Sequence, residues 1–469
     1  MVFAHPLFLF VFLLLNLFLY YVYGNKNYRN WILVVFSFFF YSWGEPIWVV
    51  LLIFSALVDY INGLVIERYR GAIGEKIGLI SSLVINLGLL CTFKYSGFIT
   101  ENINALFGLN LDVPSFALPI GISFYTFQTI SYTVDVYRGE VKAQRSFMKF
   151  MMFVSLYSQL VAGPIVRYQH IADEIDNRKL SIDDISSGVT RFCQGLFKKV
   201  FFANIAGELA QPYLEGNIEA LSVGGSWFGI TMFSLQIYFD FSGYSDMAIG
   251  LGRMFGFHFH ENFNHPYISK SATEFWRRWH MSLGSFFRDY LYIPLGGNKT
   301  NFYRNLLIVW FLTGLWHGAS WNFIFWGLYF GILIAVERLF LSKFLERLPV
   351  FISHTYLILI AIFGWVIFYF TDLSRLGSYL GVMTGVSGHA FWDVALGIQL
   401  RANIIWFVIA LIFCMPVMEF LKYRFGNKIS ERQWQVVPYV QTAINVIMLL
   451  VSVAFLEENS YNPFLYFRF

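Results

Sequence analysis

FLTGLWHGASWNFIFWG, residues 311–327, has the composition of membrane interior and carries one ionisable side chain, His317. A bilayer penalises polar groups, so an ionisable residue inside an apolar run indicates a functional site. The small residues beside His317 permit close approach of another backbone or of a substrate. A neutral imidazole there could act as a general base on a hydroxyl group. The simpler alternative is a histidine that only hydrogen-bonds to a neighbouring helix.

Apolar segments recur on both sides of this stretch. Of the 469 residues, 57% are hydrophobic and only 13% are charged, whereas soluble domains carry about 25% charged residues. The candidate spans are residues 5–23, 31–43, 46–66, 77–93, 117–136, 187–208, 225–252, 305–317, 321–341, 352–371, 403–421 and 436–457. At about 20 residues per crossing, the sequence predicts an all-α polytopic membrane protein with about 11–12 transmembrane helices. We expect one integral-membrane domain, residues 1–469, with its motifs in residues 118–327.

Two further apolar segments, residues 148–163 and 282–295, are short, and we predict that they are re-entrant or interfacial. Lys and Arg residues favour cytoplasmic loops and therefore set the orientation. With residues 148–163 re-entrant, the long basic region 253–304 lies in the cytoplasm. The first apolar run, residues 5–23, lacks a basic n-region and a cleavage site, so it is expected to be a retained span.

The composition also excludes several classes of function. The net charge of +4 comes without any dense basic run, which argues against nucleic-acid binding and leaves membrane lipids as the expected surroundings. A Walker-type phosphate loop and a Gly-x-Ser-x-Gly elbow are both missing from the sequence. His258, His260 and His265 lack metal-ligand spacing and are expected to be ordinary loop histidines, so we predict no metal site.

A second polar constellation lies in TEFWRRWHMSLGSFFRDYLYIPL, residues 273–295. On one continuous helix, Arg277, His280 and Arg288 share a face by their three- and four-residue spacing. The two guanidinium groups could then hold an anionic acyl donor. An interfacial helix whose arginines reach the lipid headgroups explains the pattern equally well.

A third constellation, YFDFSGYSDMAIG at residues 238–250, places Asp240 and Asp246 in or beside an apolar segment. Such carboxylates need partners in a membrane. They could shape a polar cavity for a donor or orient a histidine, although joining helices is the favoured reading. Trp316 and Asn322, which flank the central histidine, are further candidates for donor contacts.

Together these motifs resemble the membrane-bound O-acyltransferase superfamily, in particular its bacterial alginate O-acetyltransferase branch. The resemblance also rests on a YNPFLYFRF ending and on an ordered block of five segments. They are LPIGISFYTFQTISYTVDVYRGE at 118–140, SQLVAGPIVRY at 158–168, IYFDFSGYSDMAIGLGRMFGF at 237–257, NFNHPYISKSATEFWRRWHMSLGSFFRDYLYIPLGGN at 262–298 and LTGLWHGASWNFIFWG at 312–327. The resemblance implies a ring of tilted and re-entrant helices around a central catalytic funnel. It also implies a catalytic role for His317 and a second functional position at His280.

By the same resemblance, acetyl passes from a cytoplasmic donor, acetyl-CoA, across the bacterial cytoplasmic (inner) membrane to an extracytoplasmic polysaccharide. A secreted or membrane-anchored serine-type acetyltransferase is the expected partner, and no bound cofactor is expected. An alginate-like exopolysaccharide is the favoured acceptor, while peptidoglycan, cellulose and D-alanylation of teichoic acid stay open. An alternative of another class is a transporter for a polysaccharide or its lipid-linked precursor, with the histidines in a gate.

Overall fold

The computed structural model describes residues 1–161, 163–417, 420, 423–424, 436–458, 462 and 465. Every regular element among them is helical. The chain forms two compact units, one of Met1–Phe192 with Tyr244–His260 and one of Cys193–Gly243 with Glu261–Phe469. The end of the predicted span 403–421 and most of the YNPFLYFRF ending lie outside the described residues.

The helices before residue 222 are mostly short or interrupted. They are α1 (Leu13–Val22), α2 (Lys26–Gly44), α3 (Val49–Arg68), α4 (Ile73–Leu90), α5 (Ser96–Phe107), α6 (Ile122–Arg138), α7 (Phe147–Ser155), α8 (Tyr157–Leu160), α9 (Tyr168–Asn177), α10 (Ile182–Phe197) and α11 (Ile205–Glu215). The π-helical turns in this part are Phe8–Phe12, Cys91–Tyr95 and Lys198–Asn204, and a 3₁₀ turn is formed by Ile218–Ala220.

The later helices contain the histidine motifs. They are α12 (Val223–Met254), α13 (Ala272–Arg278), α14 (Met281–Phe287), α15 (Phe302–His317), α16 (Trp321–Val336), α17 (Ser342–Leu345), α18 (Val350–Tyr369), α19 (Leu373–Met383), α20 (Val394–Phe413) and α21 (Val437–Glu458). The short turns here are the 3₁₀ turn Pro266–Ile268 and the π-helical turns Arg288–Tyr292 and Glu337–Leu341.

Six helical stretches in the described residues are long and apolar enough to cross a membrane. They are Val49–Arg68, Ile73–Phe107, Trp321–Leu345, Val350–Tyr369, Val394–Phe413 and Val437–Glu458, with a shorter apolar helix at Phe8–Val22. The polytopic all-helical class is thus confirmed, although six is fewer than the predicted number of spans. Helix α6 shows one reason, because its Gln, Ser and Thr side chains lower its hydropathy and are buried inside the protein.

The segment 148–163 contains most of one short helix, α7, and all of another, α8. Helix α7 has nine residues and α8 has four, and the backbone turns between them at Leu156. At about 1.5 Å per residue, nine residues reach about 14 Å, which is half the thickness of the hydrocarbon core. Neither helix can cross a bilayer by itself, as a re-entrant segment requires.

A buried carboxylate joins helices of the first unit. The Ser82 hydroxyl donates to Asp59 Oδ1 at 2.5 Å, and the Asn86 amide donates to Asp59 Oδ2 at 2.8 Å. Asp59 lies on α3, and its two donors lie on α4. Polar groups within apolar segments must find partners of this kind, so the network fixes how these two helices pack.

Two glycines bring α15 and α16 of the second unit into close contact. A Cβ atom on Gly314 would lie 2.3 Å from the Phe323 carbonyl oxygen, and one on Gly327 would lie 2.3 Å from the Trp310 carbonyl oxygen. Larger side chains would therefore force the helices apart. The close approach of the two helices places His317, the last residue of α15, where this helical hairpin turns.

Candidate active site

His317 is the last residue of α15 and lies among aromatic rings. Its ring centroid is 4.9 Å from that of Trp316, 4.8 Å from that of Trp326 and 5.4 Å from that of Phe368. All three contacts are edge-to-face, with interplanar angles between 76° and 81°. The imidazole thus has an enclosure that restricts water around any group bound beside it.

His280 occupies a break between two helices. Helix α13 ends at Arg278, Trp279 is extended, and His280 has a left-handed backbone with φ of 45° before α14 begins. The prediction of one continuous helix over residues 273–295 is therefore wrong. A non-glycine residue rarely adopts this conformation, because its Cβ crowds the following carbonyl, so the surrounding contacts must hold it.

The break separates the three side chains that the helical spacing had grouped. His280 is only 2% exposed, whereas Arg277 and Arg288 are exposed. Arg288 Nε donates to Asp289 Oδ1 at 2.6 Å. The exposed arginines can contact a ligand in solution or lipid headgroups, whereas the buried histidine faces the protein interior.

His280 and His317 contact the same tryptophan. The His280 ring centroid is 6.1 Å from that of Trp316 and 4.7 Å from that of Phe241. The Nδ1 atom of His280 is 3.1 Å from Asn262 Oδ1. Burial among these groups lowers the pKa of His280 to about 3, so its imidazole is neutral throughout the physiological range.

A buried glutamate anchors the helix that leads to His280. Glu337 accepts hydrogen bonds from the backbone N–H groups of Ala272 and Thr273, at 2.6 and 2.9 Å, and from Thr273 Oγ1 at 2.6 Å. The Tyr356 hydroxyl also donates to it, at 3.1 Å. The carboxylate therefore satisfies N–H groups at the start of α13 that have no partner within the helix.

Glu337→Gln should lower the free energy of unfolding by about 2–3 kcal/mol, because it removes the charge and replaces one acceptor oxygen by an NH₂ group. Thermal unfolding of the purified protein in detergent measures the change. The exposed Glu346 provides the control, since Glu346→Gln should unfold like the wild type. Equal unfolding temperatures for both variants would show that Glu337 does not anchor α13.

Asp240 and Asp246 each form an ion pair. Asp240 Oδ1 is 2.6 Å from Lys199 Nζ with both side chains buried, and Asp240 Oδ2 accepts from the Leu465 backbone N–H at 2.9 Å. Asp246 lies in the first unit, where its Oδ1 is 2.7 Å from Arg191 Nη2. These contacts are those expected of carboxylates that join chain segments.

Asn322 connects the end of α18 with the enclosure around His317. Its amide nitrogen donates to the carbonyls of Ile367 and Phe368, at 3.2 and 3.1 Å, and Phe368 contacts the His317 ring. Its Oδ1 atom is buried and accepts no hydrogen bond from the part of the chain that the structure describes. Of the predicted donor contacts, Trp316 and Asn322 are therefore close to the histidine, whereas Arg277 and Arg288 are on the surface.

The histidines of HFHENFNH have three different environments. His258 Nδ1 is 2.7 Å from Glu174 Oε1, and the His260 ring packs on His170 at 4.3 Å between centroids. The Nδ1 atom of His265 is 3.2 Å from a backbone carbonyl oxygen. Among the described residues, no group of three or more His, Cys, Asp or Glu side chains is arranged to hold a metal ion.

Comparison with known proteins identifies the class of protein. Residues 138–380 match the model of the membrane-bound O-acyltransferase family. The probable alginate O-acetylase AlgI of Pseudomonas putida is 39% identical to this chain over 100% of both sequences. The chain therefore belongs to the membrane-bound O-acyltransferase family and is a multi-pass membrane acyltransferase.

Other relatives have different acceptors in their names. The peptidoglycan O-acetyltransferase of Helicobacter pylori is 31% identical, over 100% of this chain and 98% of that protein. The teichoic acid D-alanyltransferase of Bacillus subtilis is 28% identical, over 47% of this chain and 59% of that protein. Each of the three names combines an acetyl or D-alanyl group with alginate, peptidoglycan or teichoic acid.

Proposed function

We propose that this chain takes acetyl from acetyl-CoA on the cytoplasmic side and delivers it for O-acetylation of an alginate-like polysaccharide outside the bacterial cytoplasmic membrane. The observation that carries the proposal is the similarity to an alginate O-acetylase along the entire chain. The aromatic enclosure of His317 supports it, because a thioester must be kept from water until its acceptor is bound. Membership of an acyltransferase family favours this enzyme over the transporter alternative.

The proposed reaction uses His317 as general base. The imidazole takes the proton of an acceptor hydroxyl while the hydroxyl oxygen forms a bond to the thioester carbonyl carbon. The tetrahedral intermediate then breaks its carbon–sulfur bond, and the CoA sulfur leaves with the proton from the imidazolium. The products are an acetyl ester and free CoA, so no further reactant is required. The acceptor hydroxyl belongs to a sugar or to the serine of a partner acetyltransferase.

The remaining predicted residues have separate roles in this proposal. Arg277 and Arg288 are exposed cations suited to the phosphates of CoA. Trp316 contacts both histidine rings, and Asn322 presents a buried oxygen acceptor near Phe368. Asp240 and Asp246 hold the protein together through their ion pairs. No resident cofactor is proposed, because acetyl-CoA is a substrate that leaves as CoA.

The test supplies labelled acetyl-CoA to the purified protein in liposomes, with and without a serine-type acetyltransferase as partner. Alginate oligosaccharides and peptidoglycan fragments are offered separately as acceptors. We expect labelled ester on the alginate oligosaccharides and an equal amount of free CoA. Label on peptidoglycan fragments alone would overturn the assignment of the polymer. Intact acetyl-CoA in every mixture would overturn the assignment of the donor.

A further inference from the structure

Asn262 determines which nitrogen of His280 carries the proton. Asn262 Oδ1 accepts from the Ser282 backbone N–H at 3.2 Å and from Ser282 Oγ at 2.9 Å. A backbone N–H can only donate, so the atom that it meets must be the amide oxygen. The same oxygen is 3.1 Å from His280 Nδ1, which must therefore donate to it. A neutral imidazole has one N–H, and the lone pair is consequently on Nε2.

The Nε2 atom of His280 is the acceptor that the protein leaves for another group. It is buried, and within the described part of the chain it has no hydrogen-bond partner. Phe241 and Trp316, the rings against His280, do not titrate, and burial keeps the imidazole neutral. A buried acceptor without a partner is unfavourable, as is the left-handed backbone of His280, and such features accumulate where a ligand is bound.

We infer that Asn262 is a positioning residue that fixes His280 as the Nδ1–H tautomer, so that Nε2 accepts a hydrogen bond from an O–H or N–H group of the substrate. The inference rests on the proposed acetyl transfer. It specifies the chemistry at this second histidine: in this tautomer His280 holds a hydroxyl or amide hydrogen and cannot donate to the thioester carbonyl. The acceptor hydroxyl is the substrate group that fits.

Substitutions at Asn262 test the inference through kinetics. Asn262→Leu removes the acceptor, and we expect kcat to fall about tenfold or more while KM for acetyl-CoA changes by less than about threefold. Asn262→Asp keeps the acceptor but adds a negative charge that raises the pKa of His280. Its activity should fall toward acid pH more than that of the wild type, because protonated Nε2 cannot accept. Ser282→Ala removes another donor to the same oxygen and should keep the wild-type pH profile.

The tautomer also has a readout that is independent of activity. The ¹⁵N NMR signal of His280, assigned by its loss in His280→Gln, should report an Nδ1–H tautomer in the wild type and a mixture in Asn262→Leu. An Nε2–H signal in the wild type, or an unaltered pH profile in Asn262→Asp, would overturn the inference. A wild-type protein that shows the expected tautomer but transfers no acetyl would instead refute only the proposed function.

Discussion

His317→Ala is expected to lower acetylation of the cell-surface polysaccharide by at least about 100-fold, the usual lower bound for loss of a general base. The substitution removes the proton acceptor, while the helical hairpin that carries it is fixed by Gly314 and Gly327 and should stay folded. The measurement is the ester content of polysaccharide from cells that express equal amounts of each variant in the membrane.

His5→Ala is the matched control for this experiment. His5 is exposed, and its Nδ1 accepts from the nearby Leu7 backbone N–H. We expect normal acetylation from this variant, so that a loss seen with His317→Ala is specific to its position. Normal acetylation from His317→Ala, at a normal protein level, would contradict a catalytic role for this histidine.

Lys199→Met should cost about 3–5 kcal/mol of unfolding free energy, because it leaves the buried Asp240 carboxylate without its counter-charge. The same carboxylate accepts a hydrogen bond from the Leu465 backbone N–H, so the substitution should also weaken the attachment of Leu465. Denaturant unfolding of the purified variant in detergent measures the change in stability.

The double variant Lys199→Met/Asp240→Asn distinguishes a structural role of the Asp240 carboxylate from a role in acetyl transfer. An asparagine has no charge to be compensated and keeps an oxygen acceptor for the Leu465 N–H, so we expect most of the lost stability to return. Acetyl transfer should return with it if Asp240 only joins chain segments. A double variant that is stable but inactive would show that the Asp240 carboxylate takes part in donor binding.

Local sequence pattern was sufficient for the fold class and for the choice of His317 as the candidate catalytic residue. Long apolar runs identify membrane helices because the bilayer imposes the same length on each of them. His317 is recognisable because an ionisable group in such a run is expensive, and its neighbouring glycines point to close helix packing. These arguments need no knowledge of which segments meet in space.

The surroundings of His280 depend on contacts that no local rule encodes. Asn262 is 18 positions from His280, and Glu337 is 65 positions from the Ala272 N–H that it accepts. The prediction from helical spacing assumed that the chain stays helical through His280. These distant partners instead hold His280 in a left-handed backbone conformation. Glu337 did leave a signal, because it is an acidic residue inside the apolar stretch Trp321–Leu345. The sequence contains no comparable indication for Asn262, apart from its place in a motif.

The central claim, that the His317 imidazole is the base for acetyl transfer, is tested most directly with purified His317→Ala. The measurement is the initial rate of labelled acetyl transfer from acetyl-CoA, with and without added imidazole. We predict a rate at least about 100-fold below that of the wild type, with partial recovery as imidazole is added. A rate within about twofold of the wild type in the absence of imidazole would contradict the claim.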